Sequence, residues 1–558
     1  MPETGDLERK WQRALSFHKG GNLAAAEPLY REVLAARPDL AQGWNLLGMA
    51  CAQLGRAAEG LDAFERALAL KPDLAEALTG RAKLLLSLGR IEEAVTAHDR
   101  ALEASPWDAE AWNRRGGALS ALGRDDEAMQ SFRQAVAIRP DCWEAWNNRG
   151  ILAQHRKLHA EALESFEQVL ALNPGMTEAL RSRAIALSGL GCFTEALAGM
   201  DKAIEKKPDD AENHRHRAGI LAELGRFEEA LQAYDRALAL KPDDAEAHYR
   251  QGLLYLLMGR FALGWRQYEW RKRRGTKPAR RVHAEPHWLG EEDISGKTLL
   301  LSCEQKLGDT IQFSRLAPMA AARGAQVFLS VQAPLLRLLA GLDERVRVIG
   351  PHAAPARFDY QASLMSLPLA FGLDAEIIPG APYLKADPEL LQEWSARLGA
   401  RTRPRIGLAW SDATGDRDED DPDRSIPLAH FLPLLGQEAE WFSLQKDDPA
   451  GGEEWSGLVS FGDKLRDFAD TAALIEQMDL VISADNDVGH LAGALGKPLW
   501  LLLPFKPDWR WQLNREDSPW YGSARLFRQE KRDDWEPVFE KLKRELAALL
   551  TARCGNSP

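Results

Sequence analysis

A proline recurs every 34 residues through the first half of the chain, and this period constrains the fold more than any other feature. The prolines are Pro38, Pro72, Pro106, Pro140, Pro174, Pro208 and Pro242. A Leu-Gly-Arg tripeptide keeps the same period at residues 54–56, 88–90, 122–124 and 224–226. A fixed period of about 20 to 50 residues is typical of arrays in which each repeat is one supersecondary unit. The first half is therefore predicted to be a repeat array rather than a single closed core.

Each period predicts two short helices. A glycine such as Gly55 ends the first helix, because a residue without Cβ turns the chain easily. The second helix, for example residues 57–70, has apolar side chains on one face. The proline then stops that helix and opens the next unit. The pattern resembles tetratricopeptide repeats, with Trp44, Trp112 and Trp146 at the large-residue position of the first helix.

A stack of such hairpins presents a long concave groove lined by the first helix of each repeat. Asn45, Asn113 and Asn147 occupy one column of this helix, and their amides could bond both donor and acceptor groups of an extended peptide. The alternative is a solvated polar face. A second column carries arginines, which either face a ligand or pair with acidic side chains of adjacent helices. The arginines are Arg81, Arg115, Arg149, Arg183 and Arg217.

Composition narrows the class of partner. The formal net charge is −12, which argues against a nucleic-acid partner, since phosphate binding needs a concentrated basic surface. The basic stretch 271–281 is interpreted as a linker cap, with a nucleic-acid or lipid patch as the alternative.

Five cysteines without a CxxC pair predict neither disulfides nor a zinc site. A polar start and the lack of a long apolar run predict a cytoplasmic protein without a membrane span.

The second half changes from the 34-residue period to alternating strands and helices. Short apolar runs at 297–303, 405–410, 480–483 and 499–503 predict buried parallel strands. Their alternation with amphipathic helices predicts doubly wound α/β sheets. Ligands of such sheets bind beyond the carboxyl ends of the strands, where the polar motifs of this half fall.

These motifs resemble glycosyltransferase family 9, the heptosyltransferase-like group, in the form that follows tetratricopeptide repeats. The segments that carry the resemblance are Gly308-Asp309, 406–411, 424–428, 443–446, 467–475, 483–504 and 507–521. The resemblance implies a two-lobe, double Rossmann-like transferase of the GT-B type that uses a nucleotide-sugar and needs no metal or cofactor. The predicted architecture is thus an all-α superhelix of about eight repeats (1–273), a basic linker (274–296), an acceptor-side lobe (297–395) and a nucleotide-sugar lobe (396–552).

Sugar transfer needs a base for the acceptor and a surface that holds the leaving diphosphate. Asp309 is the predicted catalytic base, and the alternative role is an N-cap aspartate. The predicted donor-binding residues are Ser411, Gln445, Lys446, Asp485, Asn486 and His490. Asp487, beside them, would repel a diphosphate by its charge.

The leading hypothesis is a glycosyltransferase that moves a sugar from a nucleotide-sugar to a protein acceptor held by the repeats. Flagellin or another surface protein is the acceptor suggested by analogy. Two alternatives stay open. One is a catalytically inactive scaffold with a degenerate transferase domain, and the other is a transferase that acts on a lipopolysaccharide-type glycan.

Overall fold

A computed structural model describes residues 3–274, 284–304, 306–351, 353–374, 378, 380–411, 424–436, 438–446 and 457–554. The chain divides into two compact units, Met1–Leu240 and Lys241–Pro558. Residues 275–283, in the first half of the predicted linker, lie outside the described residues. In the described ranges no helix is long and apolar enough to cross a membrane.

The first unit consists of helices that pack in consecutive pairs. They are α1 (Glu3–Lys19), α2 (Leu23–Ala36), α3 (Ala41–Gln53), α4 (Ala57–Leu70), α5 (Ala75–Ser87), α6 (Ile91–Ala104), α7 (Ala109–Ala121), α8 (Asp125–Ile138), α9 (Trp143–His155), α10 (His159–Leu172), α11 (Thr177–Gly189), α12 (Phe193–Lys206), α13 (Ala211–Glu223) and α14 (Phe227–Leu240). The predicted glycine turns are confirmed, since Gly55 and Gly123 have φ values of 78° and 72°. Where the motif lacks its glycine, Lys157 adopts the same left-handed conformation with φ 57°.

Aromatic side chains of the second helix in a repeat fill space left by glycines. Phe132 on α8 packs against Gly116 on α7, and Phe166 on α10 packs against Gly150 on α9. A Cβ on Gly116 would lie 2.6 Å from the Phe132 ring. The close approach of the two helices therefore depends on these glycines.

The second unit begins with one more helical pair and continues as an α/β region. Its helices are α15 (Ala245–Leu257), α16 (Phe261–Tyr268), α17 (Leu307–Ser314), α18 (Ala317–Ala322), α19 (Leu336–Leu339), α20 (Leu367–Ala370), α21 (Pro388–Leu398), α22 (Leu432–Leu435), α23 (Phe468–Glu476), α24 (Asp487–Leu495) and α25 (Glu536–Cys554). Its strands are β1 (Thr298–Ser302), β2 (Gln326–Ser330), β3 (Val346–Ile349), β4 (Tyr360–Ser363), β5 (Arg405–Ala409), β6 (Glu440–Ser443), β7 (Leu458–Ser460), β8 (Leu480–Ala484), β9 (Leu499–Leu503) and β10 (Ala524–Arg528).

The strands form two parallel sheets with related strand orders. The first sheet runs β3-β2-β1-β4, and the second runs β7-β6-β5-β8-β9-β10. In the first sheet the chain adds β2 and β3 on one side of β1 and then β4 on the other side, and in the second sheet it adds β6 and β7 on one side of β5 and then β8 on the other. Such a change of side leaves a crevice at the carboxyl ends of the strands, which lies between β1 and β4 in the first sheet and between β5 and β8 in the second. The predicted parallel α/β sheets are confirmed, while the GT-B assignment stays a prediction.

An aromatic cluster packs the helical pair α15–α16 against the α/β region. Trp265 on α16 lies 5.3 Å from Trp509, 6.4 Å from Phe313 and 6.5 Å from Trp520, measured between ring centroids. Its indole N–H donates to the Leu373 carbonyl at 2.9 Å. The compact unit thus begins at Lys241, ahead of the predicted boundary at 273, and the four predicted domain ranges stay predictions.

Candidate functional site

A cavity of about 730 Å³ lies among α5–α9 of the first unit. Its walls are partly apolar, with Leu86 and Ile91, and partly polar, with Asn113 and Asn148. Asn148 Nδ2 donates to Asn113 Oδ1 at 3.0 Å. The amide nitrogen of Asn113 and the amide oxygen of Asn148 bond to no other described residue, so the cavity presents one donor and one acceptor. This pair complements the C=O and N–H of a peptide group.

Of the three predicted asparagines Asn45, Asn113 and Asn147, only Asn113 lines this cavity. Asn113 lines it, but Asn147 is replaced there by its neighbour Asn148. Asn45 is 1% exposed, and its amide oxygen has no hydrogen-bond partner among the described residues. One residue rotates the side chain by about 100° around the helix, which is why the choice between 147 and 148 escaped sequence reasoning. The peptide-binding role of the column stays a prediction.

The arginine column pairs with carboxylates of neighbouring helices, and all of these are on the preceding helix except those of Arg149, which binds Glu161 and Glu164 on the following helix α10. Arg115 binds Asp99 at 2.6 Å, Arg183 binds Glu167 at 2.9 Å and Arg217 binds Asp201 at 2.7 Å. Each of the pairs of Arg115, Arg183 and Arg217 joins the second helix of one repeat to the first helix of the next. These arginines therefore have the structural role that was one of the two alternatives.

Charged side chains also border the cavity. Lys83 and Arg114 both bind Glu110, at 3.0 and 2.7 Å. The hydrogen bonds from Arg114 and Lys83 lower the pKa of Glu110 to about 2. This wall of the cavity is thus ionised at neutral pH.

In the second unit, three predicted donor-binding residues meet at the crevice of the second sheet. Gln445, after β6, accepts from the Ser411 N–H at 3.1 Å and donates to the Ser411 hydroxyl at 2.7 Å. Asn486, after β8, donates to the Ser411 carbonyl at 3.1 Å. The side chains meet because Ser411, Gln445 and Asn486 follow the neighbouring strands β5, β6 and β8.

Lys446 makes no hydrogen bond to this cluster among the described residues. Its ammonium group donates to the Arg466 carbonyl at 3.2 Å, and the residue is exposed. Its predicted contact with a leaving diphosphate stays a prediction.

Asp485 and His490 are both buried beside the cluster of Ser411, Gln445 and Asn486. Asp485 is 2% exposed, and its Oδ1 atom lies 3.9 Å from His490 Nε2. Burial raises the pKa of Asp485 to about 6, and the charge of Arg424 opposes the rise. A hydrogen bond from the Trp511 indole also lowers the pKa of Asp485, against the effect of burial. His490 bonds to the Tyr521 hydroxyl at 2.9 Å and stacks on Trp511. Burial lowers the pKa of His490 well below 6.5, so the imidazole is neutral at pH 7.

Asp309, the predicted base, lies in the first turn of α17. Its Oδ2 atom accepts from the Lys306 N–H at 3.1 Å in a capping box. Lys306 is the N-cap residue and Asp309 is the third residue of the helix, so Asp309 is not the N-cap aspartate of the alternative. Its Oδ1 atom accepts from the guanidinium of Arg510. Burial raises the pKa of Asp309, and Arg510 opposes this shift. The role of Asp309 as a base stays a prediction.

Sequence reasoning placed Arg424 and Arg510 in the segments 424–428 and 507–521 but did not predict that they connect these carboxylates. Arg510 binds Asp508 at 2.8 Å, and Arg424 binds the other oxygen of Asp508 at 2.7 Å. A further nitrogen of Arg424 lies 3.9 Å from Asp485. A buried charge network therefore runs Asp309–Arg510–Asp508–Arg424–Asp485. The Asp-Trp-Arg run at 508–510 places the two members Asp508 and Arg510 side by side in the sequence.

The first turns of α17 and α24 lie against each other. The Gly308 N–H donates to Asp487 Oδ1 at 2.6 Å. A Cβ on Gly308 would lie 2.8 Å from Asp487 Oδ1 and 2.8 Å from His490 Cδ2. Residue 308 must therefore be glycine, because a larger residue would collide with Asp487 and His490. In the part of the chain that the structure describes, no three His, Cys, Asp or Glu side chains converge to hold a metal ion.

Comparison with known families confirms the predicted repeats. The tetratricopeptide repeat family matches residues 12–75, 79–141 and 143–176, and a further TPR repeat matches residues 218–259. Such repeats indicate interaction with proteins or peptides.

Protein FlbA of Caulobacter vibrioides is a curated relative, 31% identical over 314 residues. The match covers 50% of this chain and 51% of FlbA, so the chain spans about half the length of this relative. The chain is also similar to solved structures of tetratricopeptide repeat proteins, among them these two. YrrB, described as a TPR protein with an unusual peptide-binding site, is 24% identical, with a TM-score of 0.33 over 35% of this chain and 100% of its own. A tetratricopeptide repeat protein of Parabacteroides merdae is 21% identical, with a TM-score of 0.32 over 44% of this chain and 98% of its own.

Proposed function

We propose that the chain is a glycosyltransferase that binds a polypeptide acceptor on its repeats and transfers a sugar to it from a nucleotide-sugar. One observation carries the proposal. The cluster of Ser411, Gln445 and Asn486 lies at the crevice between β5 and β8, where doubly wound sheets bind nucleotides.

In this proposal the acceptor hydroxyl attacks the anomeric carbon of the sugar and loses its proton to Asp309. The bond from that carbon to the diphosphate oxygen breaks, and the nucleoside diphosphate leaves with the bonding electron pair. Arg424, whose side chain is 19% exposed, is the cation of the charge network that a leaving diphosphate meets. The neutral His490 adds a hydrogen-bonding group without adding charge.

The repeats supply the acceptor side of the proposal. The donor on Asn113 and the acceptor on Asn148 complement one peptide group of an extended chain, and the apolar wall of the cavity takes a side chain beside it. This arrangement favours a protein acceptor over a glycan.

The experiment incubates the protein with a panel of nucleotide-sugars and unfolded polypeptides and detects added sugar by mass spectrometry. We expect transfer by the wild type and a loss of about a hundredfold or more in Asp309→Asn, since general-base catalysis contributes about that much. Asp387→Asn is the matched control, because Asp387 caps α21 through backbone N–H groups away from the network. Equal transfer by the Asp309 variant would remove that residue from the mechanism.

The second candidate function is an adaptor without catalysis, and the packing around His490 favours it. His490 is 4% exposed between Trp511 and Tyr521, and Asp487 occupies the start of α17. Calorimetry with UDP, GDP and CDP separates the two functions, because an adaptor binds none of them.

A fragment of residues 241–558 separates protein from glycan transfer, since a glycan transferase would keep its activity without the first unit.

A further inference from the structure

Arg139, at the end of α8, lines the cavity among α5–α9 without the carboxylate that pairs with its equivalent in a later repeat. The equivalent cation, two repeat periods further on, is Lys207, and its ammonium group binds Glu178. By the same spacing, the carboxylate expected beside Arg139 is Glu110. The repeat pattern thus predicts an ion pair between Arg139 and Glu110.

This ion pair is absent among the described residues, because other cations bind Glu110. Lys83 and Arg114 contact its carboxylate at 3.0 and 2.7 Å. The guanidinium of Arg139 donates to the Cys142 sulfur at 3.5 Å and binds no carboxylate in the described ranges. Since arginine keeps its charge at any pH near neutral, the cavity presents a cation without a counter-ion from the described part of the chain.

The charges around the cavity favour an anionic ligand. Cations exceed carboxylates by one at this cavity, although the net charge of the chain is −12. Glu144 accepts from the Cys142 thiol at 3.6 Å and is exposed, so water and salt screen its repulsion of an anion. The cations are Lys83, Arg114 and Arg139, and the carboxylates are Glu110 and Glu144.

The other walls of the cavity indicate what kind of molecule carries the anion. Leu86 and Ile91 are apolar, and the pair of Asn113 and Asn148 complements a peptide group. In an extended peptide, side chains two residues apart point to the same side. An apolar and an acidic side chain at that spacing would therefore both face the cavity.

We propose that this cavity selects acidic segments of the polypeptide acceptor and that Arg139 determines the selection. The ligand is an extended peptide in which a glutamate or aspartate lies two residues from an apolar side chain. Its carboxylate pairs with Arg139 in place of Glu110, which Lys83 and Arg114 hold. The inference rests on the proposed function, because it names the chemical class of the acceptor.

The test measures the binding of labelled peptides to the full-length chain by fluorescence anisotropy. One peptide carries a leucine and, two residues later, a glutamate in a polar sequence. A second has glutamine in place of the glutamate, and a third has lysine there.

Three variants are compared with the wild type. Arg139→Gln removes the cation and keeps a hydrogen-bond donor, and Arg139→Glu inverts the charge. Lys207→Gln is the matched control, because Lys207 is the equivalent cation and does not line this cavity. Both residues are exposed, so the variants preserve the fold.

We expect the wild type to bind the glutamate peptide about three- to tenfold more tightly than the glutamine peptide, because the ion pair with Arg139 adds a charge-assisted hydrogen bond. Arg139→Gln should bind these two peptides equally, and Arg139→Glu should prefer the lysine peptide. Lys207→Gln should keep the preference of the wild type. Equal affinity of the wild type for the glutamate and glutamine peptides, including no binding of either, overturns the proposal. A preference that Arg139→Gln retains also overturns it.

A transfer assay with serine-containing versions of the same peptides separates this inference from the proposed function. A preference for the glutamate peptide that depends on Arg139, without sugar transfer to any peptide, would contradict the transferase and leave the acidic selection in place. Sugar transfer to glutamate and glutamine peptides that bind equally well would contradict the acidic selection alone.

Discussion

At the scale of single residues, the period places a histidine where other repeats have an aromatic side chain. His98 occupies the column of Phe64, Phe132 and Phe166, and it is fully buried. Neither ring nitrogen has a hydrogen-bond partner among the described residues. Burial, and then the charge of Arg114, lowers the pKa of His98 to about 4. The folded chain thus holds a neutral imidazole that the unfolded chain protonates below pH 6.5.

This difference predicts acid sensitivity of the repeats. Because the pKa of His98 is lower in the folded state than its usual 6.5, stability is lost as the pH falls from about 6.5 toward 4. Between pH 7 and pH 5 the expected loss is about 2 kcal/mol. Urea unfolding of fragment 1–240 at both pH values measures it. His98→Phe should unfold with a smaller difference between the two pH values, and an unchanged difference would contradict the assignment to His98.

At the scale of elements, adjacent glycines on α7 have different roles. A Cβ on Gly116 would lie 2.6 Å from the Phe132 ring, whereas a Cβ on Gly117 would have no atom within 4 Å. The first glycine allows α7 and α8 to approach each other. The second lies exposed at the cavity and has no packing role.

The two alanine variants are therefore expected to shift stability in opposite directions. Gly116→Ala should destabilise the first unit by about 1–3 kcal/mol through overpacking. Gly117→Ala should stabilise it by about 0.5–1 kcal/mol, because alanine favours the helix over glycine. Chemical denaturation of fragment 1–240 compares them, and a shift of the same sign in both variants would refute the packing argument.

At the scale of the whole molecule, the last helical pair belongs to the α/β unit. Trp265 and Tyr268 on α16 are 2% exposed, and they contact Trp509 in the α/β region. The compact unit accordingly starts at Lys241 rather than at the end of the repeat pattern.

Two fragments test this boundary. Residues 241–558 should fold into a monodisperse protein with cooperative thermal unfolding. Residues 274–558 should aggregate or unfold, because removal of α15 and α16 exposes the aromatic face of Phe313, Trp509 and Trp520. Size-exclusion chromatography and thermal denaturation distinguish the outcomes. Equal behaviour of the two fragments would place the boundary where the repeats end.

Much of the fold could be predicted because it follows from local patterns. The glycine at the end of each first helix and the proline after each second helix act within a few residues, so they mark the helical pairs. The apolar runs likewise predicted β5, β8 and β9 as buried strands, and all three are buried. The ends of the strands could also be predicted from the sequence. Ser411, Gln445 and Asn486 each follow a predicted strand, and because β5, β6 and β8 are neighbours in the sheet, the three side chains meet.

The amino-acid sequence by itself determined the repeat period, the parallel α/β class and the loops that carry polar side chains, since each depends on spacing along the chain. Only the tertiary structure decided which charges meet. Arg510 binds Asp309 across 201 residues, and Gly308 binds Asp487 across 179. Such contacts have no period in the sequence, because they depend on how the two sheets pack and on the burial that makes each charge require a partner.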